Sequence, residues 1–481
     1  MREGHWHASL PTGTDGSADT RNPKNHRVSL SGSLSPLYRE LYPDVPPVQL
    51  KHLPSCAAGL RVFVYNLTIN ATRTFSLSDE RARATTTADV LRDLERQRGR
   101  ANCDWARSPC LETQHSLTGG NWDYSNQRQY AAELPLLAKF MLMPRQTTVA
   151  AEADIFVVPW LGSAELTWFH RQWSPSSPFV NSRFRSTLRQ LQHYAGRERR
   201  HIFLSSRDLT YVPLEPKRET LRSGAMLLHY GPRRPGSRGD VVVAPNSAGF
   251  GSRLERLEHP APTFIFSMMD EKLNPQNMSV GAALRILNAS RNDIRYFPIG
   301  DHRSLSLPPL VAFSMMQQSL LCPIVQGDLP FQHRLFDTLA AGCVPLLFAS
   351  KLIVEEDAKS RHMGGASKEC EAWSWEQPAS KPAKDGFCVE HTLPFHRTVP
   401  WREITVRLDS GLLREPIALA AVIASLDRAE LARKRLRLEA VRRRFMYDWS
   451  GESADAFSST LEEICALLQG AEGNQTEQRF P

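Results

Sequence analysis

Short apolar runs separated by polar, turn-rich stretches set the pattern of this chain. Arg61–Tyr65, Asp154–Pro159, His201–Asp208, Asp240–Pro245, Thr263–Phe266 and Leu320–Cys322 are each too short for a useful helix, and all but the last, which is simply apolar, are rich in β-branched or aromatic residues. They are predicted strands, the last bounded by Pro323. Between them lie helix-like segments: one from Tyr130 toward the Asp154 strand, one around Ala282–Leu287, and one closed by Gly342. The charged stretch 79–100 predicts an exposed helix, and residues 415–446 predict one long helix with a basic face. Strands alternating with helices imply parallel sheets.

The segment from Ser319 to Phe348 reads as strand, loop, helix, strand. Pro330 suits a first helical turn, whose N–H groups have no intrahelical acceptor. Gly342 suits a left-handed cap. Leu335, Phe336, Leu339 and Ala340 form the apolar face, and Arg334 and Asp337, three apart, share another. A helix N-terminus favours phosphate, an arginine binds phosphate oxygens bidentately, and a carboxylate accepts from ribose hydroxyls. The set describes a nucleotide-diphosphate site. On geometry alone, a surface ion pair at the same spacing accounts for the two residues equally.

At 481 residues the chain has room for two or three domains. Residues 1–55 lack periodicity and read as a disordered stem, as does a tail at 470–481. The remainder divides into 56–250 and 260–468 across a Gly/Arg/Glu-rich linker. The formal charge of +8 suits an anionic partner and leaves nucleic acid open. Sequons at Asn66, Asn70, Asn277, Asn288 and Asn474 favour a secretory lumen. Cys103 with Cys110, and Cys370 with Cys388, are spaced for local disulfides. Cys322 and Cys343 stay open, because opposite ends of neighbouring strands conflict with a Cα separation below about 7 Å. No signal peptide or apolar run of about 18 residues is visible.

The pattern S-x-x-C-P-x-x-x-G-D-x-P-x-x-x-R-L-F-D-x-L-x-x-G-C-V-P, from Ser319 to Pro345, resembles the donor-site signature of the exostosin family, glycosyltransferase family 47. Its G-D-x-P form is closer to plant or algal-type members. Tyr130, Glu133 and Ala153–Pro159 match the family's helix before a strand ending in Val-Pro. His201–Asp208 resembles its H-x-F-x-x-x-H-D segment, with Arg207 where a histidine is usual. Pro394-Phe395, Asp455-Ala-Phe457 and the helix through Cys465 extend the likeness to about 468. Against that pattern, residues 352–393 are an insertion, too long for an ordinary connection.

The resemblance implies an α/β, GT-B-like fold, with two doubly wound Rossmann-like domains facing across a cleft. The expected activity is inverting transfer from a nucleotide sugar to a glycan or glycoprotein acceptor in the Golgi lumen. Membrane attachment would come only through an N-terminal anchor that is not visible here. No metal and no cofactor beyond the donor substrate are expected, since no Asp-x-Asp motif occurs. Gly327, Asp328, Arg334 and Asp337, with Arg285, are the expected donor contacts. Asp208 and then Glu165 are the candidate bases for the acceptor hydroxyl. Trp160, Trp168, Phe169 and Trp173 lie where an acceptor sugar would stack, though core packing explains each singly. Two other readings are a non-catalytic lumenal partner of another glycosyltransferase, suggested by Arg207, and a basic nucleic-acid-binding protein, against which the sequons and the lack of any standard nucleic-acid module count, so that no nucleic-acid partner is expected.

Overall fold

The computed structural model describes residues 48–70, 84–88, 133–160, 178–208, 214–230, 239–244, 263–270, 275–299, 309–325, 333–349, 393–395, 398–448 and 453–477. Among these, twelve strands and eleven α-helices alternate. The strands are β1 (Val62–Val64), β2 (Thr68–Asn70), β3 (Ala84–Thr86), β4 (Ile155–Val158), β5 (His201–Asp208), β6 (Met226–Tyr230), β7 (Asp240–Val242), β8 (Thr263–Asp270), β9 (Ile294–Ile299), β10 (Ser319–Ile324), β11 (Val344–Ala349) and β12 (Val406–Asp409). The helices are α1 (Ser55–Ala58), α2 (Glu133–Met141), α3 (Pro178–Gln190), α4 (Leu214–Ser223), α5 (Pro275–Asn288), α6 (Pro309–Gln317), α7 (His333–Ala341), α8 (Trp401–Ile404), α9 (Pro416–Ala424), α10 (Arg428–Val441) and α11 (Ala456–Glu477).

Two five-stranded sheets, every pairing parallel, form the frame. The second has the order β12-β11-β10-β8-β9. Numbered by their own sequence its strands run 2-1-3-4-5 from the β9 edge, a doubly wound arrangement with its switch point between β8 and β10. Helix α5 accordingly packs on one face, with Val280, Ala283 and Leu284 against Phe264 and Ile265, and α7 packs on the other. The first sheet, β1-β4-β5-β6-β7, proceeds from one edge to the other without reversal. It departs from the doubly wound expectation, because each described crossover continues in the same direction. Its α3 face buries Phe184 and Leu191 against Phe156 and Phe203.

The opposite face of the first sheet is closed largely by elements far away in sequence. Phe457, Leu461 and Ile464 of α11 join Phe140 of α2 and the strand residues Val62, Ile155, Ile202 and Met226 in one cluster. Leu335, Phe336 and Leu339 of α7 belong to the same cluster, so one continuous core ties the two sheets together. Cys56 and Cys465 form a disulfide between α1 and α11, with a Cα separation of 6.1 Å. At the start of α11 Lys139 and Asp455 pair at 2.7 Å, both nearly inaccessible, and Lys139 also donates to the Asp448 carbonyl. Asp455 caps α11 as well, accepting from the Ser458 N–H at 2.9 Å. The sequence grouped this helix with the second unit; its apolar face instead returns it to the first.

Several local expectations are corrected. β10 runs on through Pro323, because proline's fixed φ is compatible with an extended strand and costs only one ladder hydrogen bond. Cys322 and Cys343 form a disulfide with Cα atoms 5.9 Å apart. β10 and β11 are direct neighbours with Leu321 beside Val344 and Cys322 beside Pro345, so Cys343, just before β11, lies diagonally within reach of Cys322 instead of at the far end of the strand. Residues 84–86, inside the expected helix, pair antiparallel with Thr68–Asn70. The expected helix 415–446 breaks between α9 and α10, where Asp427 accepts from the Ala429 N–H and restarts it. α11 continues past Gln469, since elongating a docked helix adds one bond per residue. β6 received no assignment from sequence. The pairs Cys103/Cys110 and Cys370/Cys388, the insertion 352–393 and Pro330 lie outside the described residues.

Candidate active site

In open α/β sheets, ligands collect beyond the C-terminal ends of strands at the switch point. Here β8 pairs with β10 only at Ser319–Thr263 and Leu321–Ile265, while β8 continues beside β9 to Asp270. The sheet therefore opens toward the C-terminal ends of β8 and β10. Helix α7 begins at that edge and runs back along the sheet.

The helix is held from both sides. Leu335, Phe336, Leu339 and Ala340 are fully buried, as their spacing requires. At the far end Gly342 takes a φ of 73°, the Gly342 N–H donates to Leu339 and the Cys343 N–H donates to Thr338. These two bonds are a left-handed cap that satisfies terminal carbonyls. A third carbonyl, that of Ala340, accepts from the buried Arg442 guanidinium at 3.1 Å. Arg442 in turn pairs with Glu439 at 2.5 Å. A Cβ at position 342 would come within 3.3 Å of the Glu439 carboxylate, so glycine also leaves room for this pair. A cation at a helix C-terminus complements the dipole.

On the remaining side of α7, Arg334 and Asp337 stay partly accessible among fully buried neighbours. Burial pulls the Arg334 guanidinium below its ordinary pKa and the Asp337 carboxylate opposes that shift, so the two charges act on each other. The result is a cation and an acid one turn apart, on a rigid helix, at the open edge of a switch point. That arrangement can hold a diphosphate and a ribose.

The other expected site residues fall differently. Arg285 is exposed in the last turn of α5, its guanidinium 5.9 Å from the centre of the Tyr296 ring. α5 runs from the C-terminal toward the N-terminal edge of the sheet, so Arg285 sits at the end away from Arg334. The structure does not bring them together. Asp208 ends β5, with its backbone opposite Tyr230 after a register shift; its side chain lies outside the described residues, as do Glu165, Gly327, Asp328, Trp168, Phe169 and Trp173. Trp160 is buried and meets Phe184 edge-on at 5.2 Å, which makes it a core residue.

Two roles were missed in the sequence. Arg435 and Arg442, read as part of an exposed basic face, donate to the Gln317 and Ala340 carbonyls at the ends of α6 and α7. Other basic residues of this region have carboxylate partners: Arg433 with Glu430, Arg437 with Glu403, Arg444 with Glu462 and Arg428 with Asp293. His201, the first position of the histidine-rich motif, is a buried structural group. Its Nδ1 lies 2.9 Å from the Arg197 carbonyl, which fixes the proton there, and its Nε2 accepts from the Tyr65 hydroxyl at 3.1 Å. Burial, partly offset by that carbonyl, lowers its pKa to about 4.

Among the described residues no cluster of potential metal ligands occurs, and no helix is long and apolar enough to cross a membrane. The Exostosin GT47 domain profile matches residues 56–423. No curated protein matches the chain.

Proposed function

Because the chain belongs to the exostosin GT47 family, we propose that it is an inverting glycosyltransferase that uses a nucleotide-sugar donor and a glycan or glycoprotein acceptor. The observation that carries this reading is the Arg334 and Asp337 pair at the start of α7, on the open edge of the β8/β10 switch point. In this reading Asp337 accepts from the donor ribose and Arg334 neutralises the diphosphate. As the acceptor oxygen attacks the anomeric carbon from the opposite face, the bond to the diphosphate oxygen breaks and charge grows beside Arg334. The acceptor proton passes to a carboxylate, for which Asp208 at the end of β5 is the first choice and Glu165 the second. Gly327 and Asp328, between β10 and α7 in sequence, complete the donor site in this reading. The chemistry needs no metal and no further cofactor.

We place the protein in the Golgi lumen. The five sequons and the disulfides Cys56–Cys465 and Cys322–Cys343 support an oxidising compartment. A non-catalytic lumenal role is the second reading, favoured by Arg207 where the family has histidine. Thermal unfolding of the purified protein against a set of nucleotide sugars tests donor binding, since a ligand of the folded state raises its stability. One donor is expected to shift the midpoint and to be turned over. Stabilisation without hydrolysis or transfer would favour the second reading, and no shift with any donor would remove the first.

A further inference from the structure

The second described concentration of charge lies at the opposite edge of the other sheet. Where β1, β4 and β5 begin, Arg61, Asp154, Arg197, Glu198, Arg199 and Arg200 line a cavity of about 620 Å³, walled on one side by Leu468 of α11. That volume is in the range of ligand-binding clefts. Four guanidiniums face two carboxylates, and both carboxylates are engaged. Asp154 forms two bonds of 3.2 Å to the Arg61 guanidinium and accepts from its backbone N–H at 2.8 Å. Glu198 is held in its ionised form by its own backbone N–H, with burial opposing and the Gly196 N–H, at 3.0 Å, adding to it. Arg197 donates to the Ala150 carbonyl at 3.4 Å. Arg199 and Arg200 are both exposed; Arg200 acts on Asp154 through its charge, after the direct bonds from Arg61, and no hydrogen bond from either side chain is found among the described residues.

The contrast with α10 sharpens the point. There the basic residues are distributed over carboxylates and helix-end carbonyls, whereas here two adjacent guanidiniums stand in a polar concavity with the local acids already used. We propose that this cavity binds sulfate or carboxylate groups of an acidic saccharide, with Arg199 and Arg200 as the principal donors. Guanidinium forks match such oxyanions bidentately. The cavity is at the N-terminal edge of the first sheet, at the end of β5 opposite Asp208, and shares no residue with the α7 site, so a glycan held here leaves its reacting end elsewhere. The saccharide part of this assignment rests on the glycosyltransferase reading; the anion part rests on the cavity alone.

The test is calorimetric titration of the full chain with a sulfated hexasaccharide, an uncharged hexasaccharide and inorganic sulfate, none of which requires turnover. Three proteins are compared: the parent, Arg199→Ala with Arg200→Ala, and Arg433→Ala with Arg437→Ala, which removes the same charge from α10. The expected result is binding of the sulfated sugar by the parent and the α10 variant, a loss of at least about tenfold in the Arg199/Arg200 variant, and no binding of the uncharged sugar. Equal loss in both variants, or no binding by the parent, overturns the proposal. Inorganic sulfate bound as tightly as the sulfated sugar overturns the saccharide part.

Discussion

The two sheets have the same number of strands and the same parallel pairing, yet they divide the labour differently. The second sheet reverses direction between β8 and β10, and there it presents a cation and an acid on an otherwise fully packed helix. The first sheet has no such reversal, and within its layers the polar groups are turned inward: His201 stacked on Phe156 with ring centres 4.6 Å apart, and Lys139 locked to Asp455. Buried polarity inside the first sheet maintains the fold, whereas the Arg334 and Asp337 pair of the second is only half-buried. Strand order decides which, because only a reversal opens a crevice between neighbouring strands.

Substitutions separate the two roles. The largest expected effect is on stability: Lys139→Ala leaves Asp455 buried without its cation and should cost about 3–5 kcal/mol, read by urea unfolding. Parent-like stability would show that α11 docks without this pair. Arg334→Ala should do the reverse, lowering kcat/KM by about two to three powers of ten at an unchanged melting temperature. A variant that binds and turns over donor like the parent would return Arg334 to the status of a surface ion pair.

Acid should weaken the first sheet. His201 has its pKa lowered from 6.5 to about 4, so the fold favours the neutral ring. Its contribution is complete above about pH 6.5 and lost progressively as pH falls through about 4, a change of about 3 kcal/mol. His201→Phe, which keeps a ring against Phe156, should flatten melting temperature against pH in that window; an unaltered slope would assign the acid sensitivity elsewhere. Asp337→Ala should weaken donor binding by about 1.5–3 kcal/mol, through a lost charge-assisted hydrogen bond, with the smaller share of the effect in kcat. Titration of donor against the folded variant measures it. Smallest of all, Arg433→Ala removes an exposed pair on α10 and should leave both the melting temperature and kcat/KM within error.

Local elements were legible where residue spacing alone determines them. The face of α7, its glycine cap and the strands at His201 and Thr263 follow from periodicity and backbone preference, which act within a few residues. Strand order was not legible, because it depends on which way each crossover turns. The break at Asp427 was hidden because apolar and basic residues continue across it, and only the cap hydrogen bond distinguishes a restart from a continuous helix. Arg435 and Arg442 were misread for a related reason: the carbonyls they meet belong to helices roughly a hundred residues earlier. Arg285 was expected near the diphosphate, and the direction of α5 instead places it in the last turn, as an exposed arginine beside Tyr296.

The return of α11 to the first sheet has a consequence for how the chain is made. A ribosome delivers β1 to β7 long before residues 456–465, so the first sheet leaves the exit tunnel with one apolar face covered only in part, by α2. Cys56 must wait for a partner 409 residues downstream. Synthesis order and folding order are therefore opposed in this protein: the half made first is completed last. A fragment ending at residue 423, where the family match stops, would lack both α10 and α11 and would expose the surface on which the chain closes.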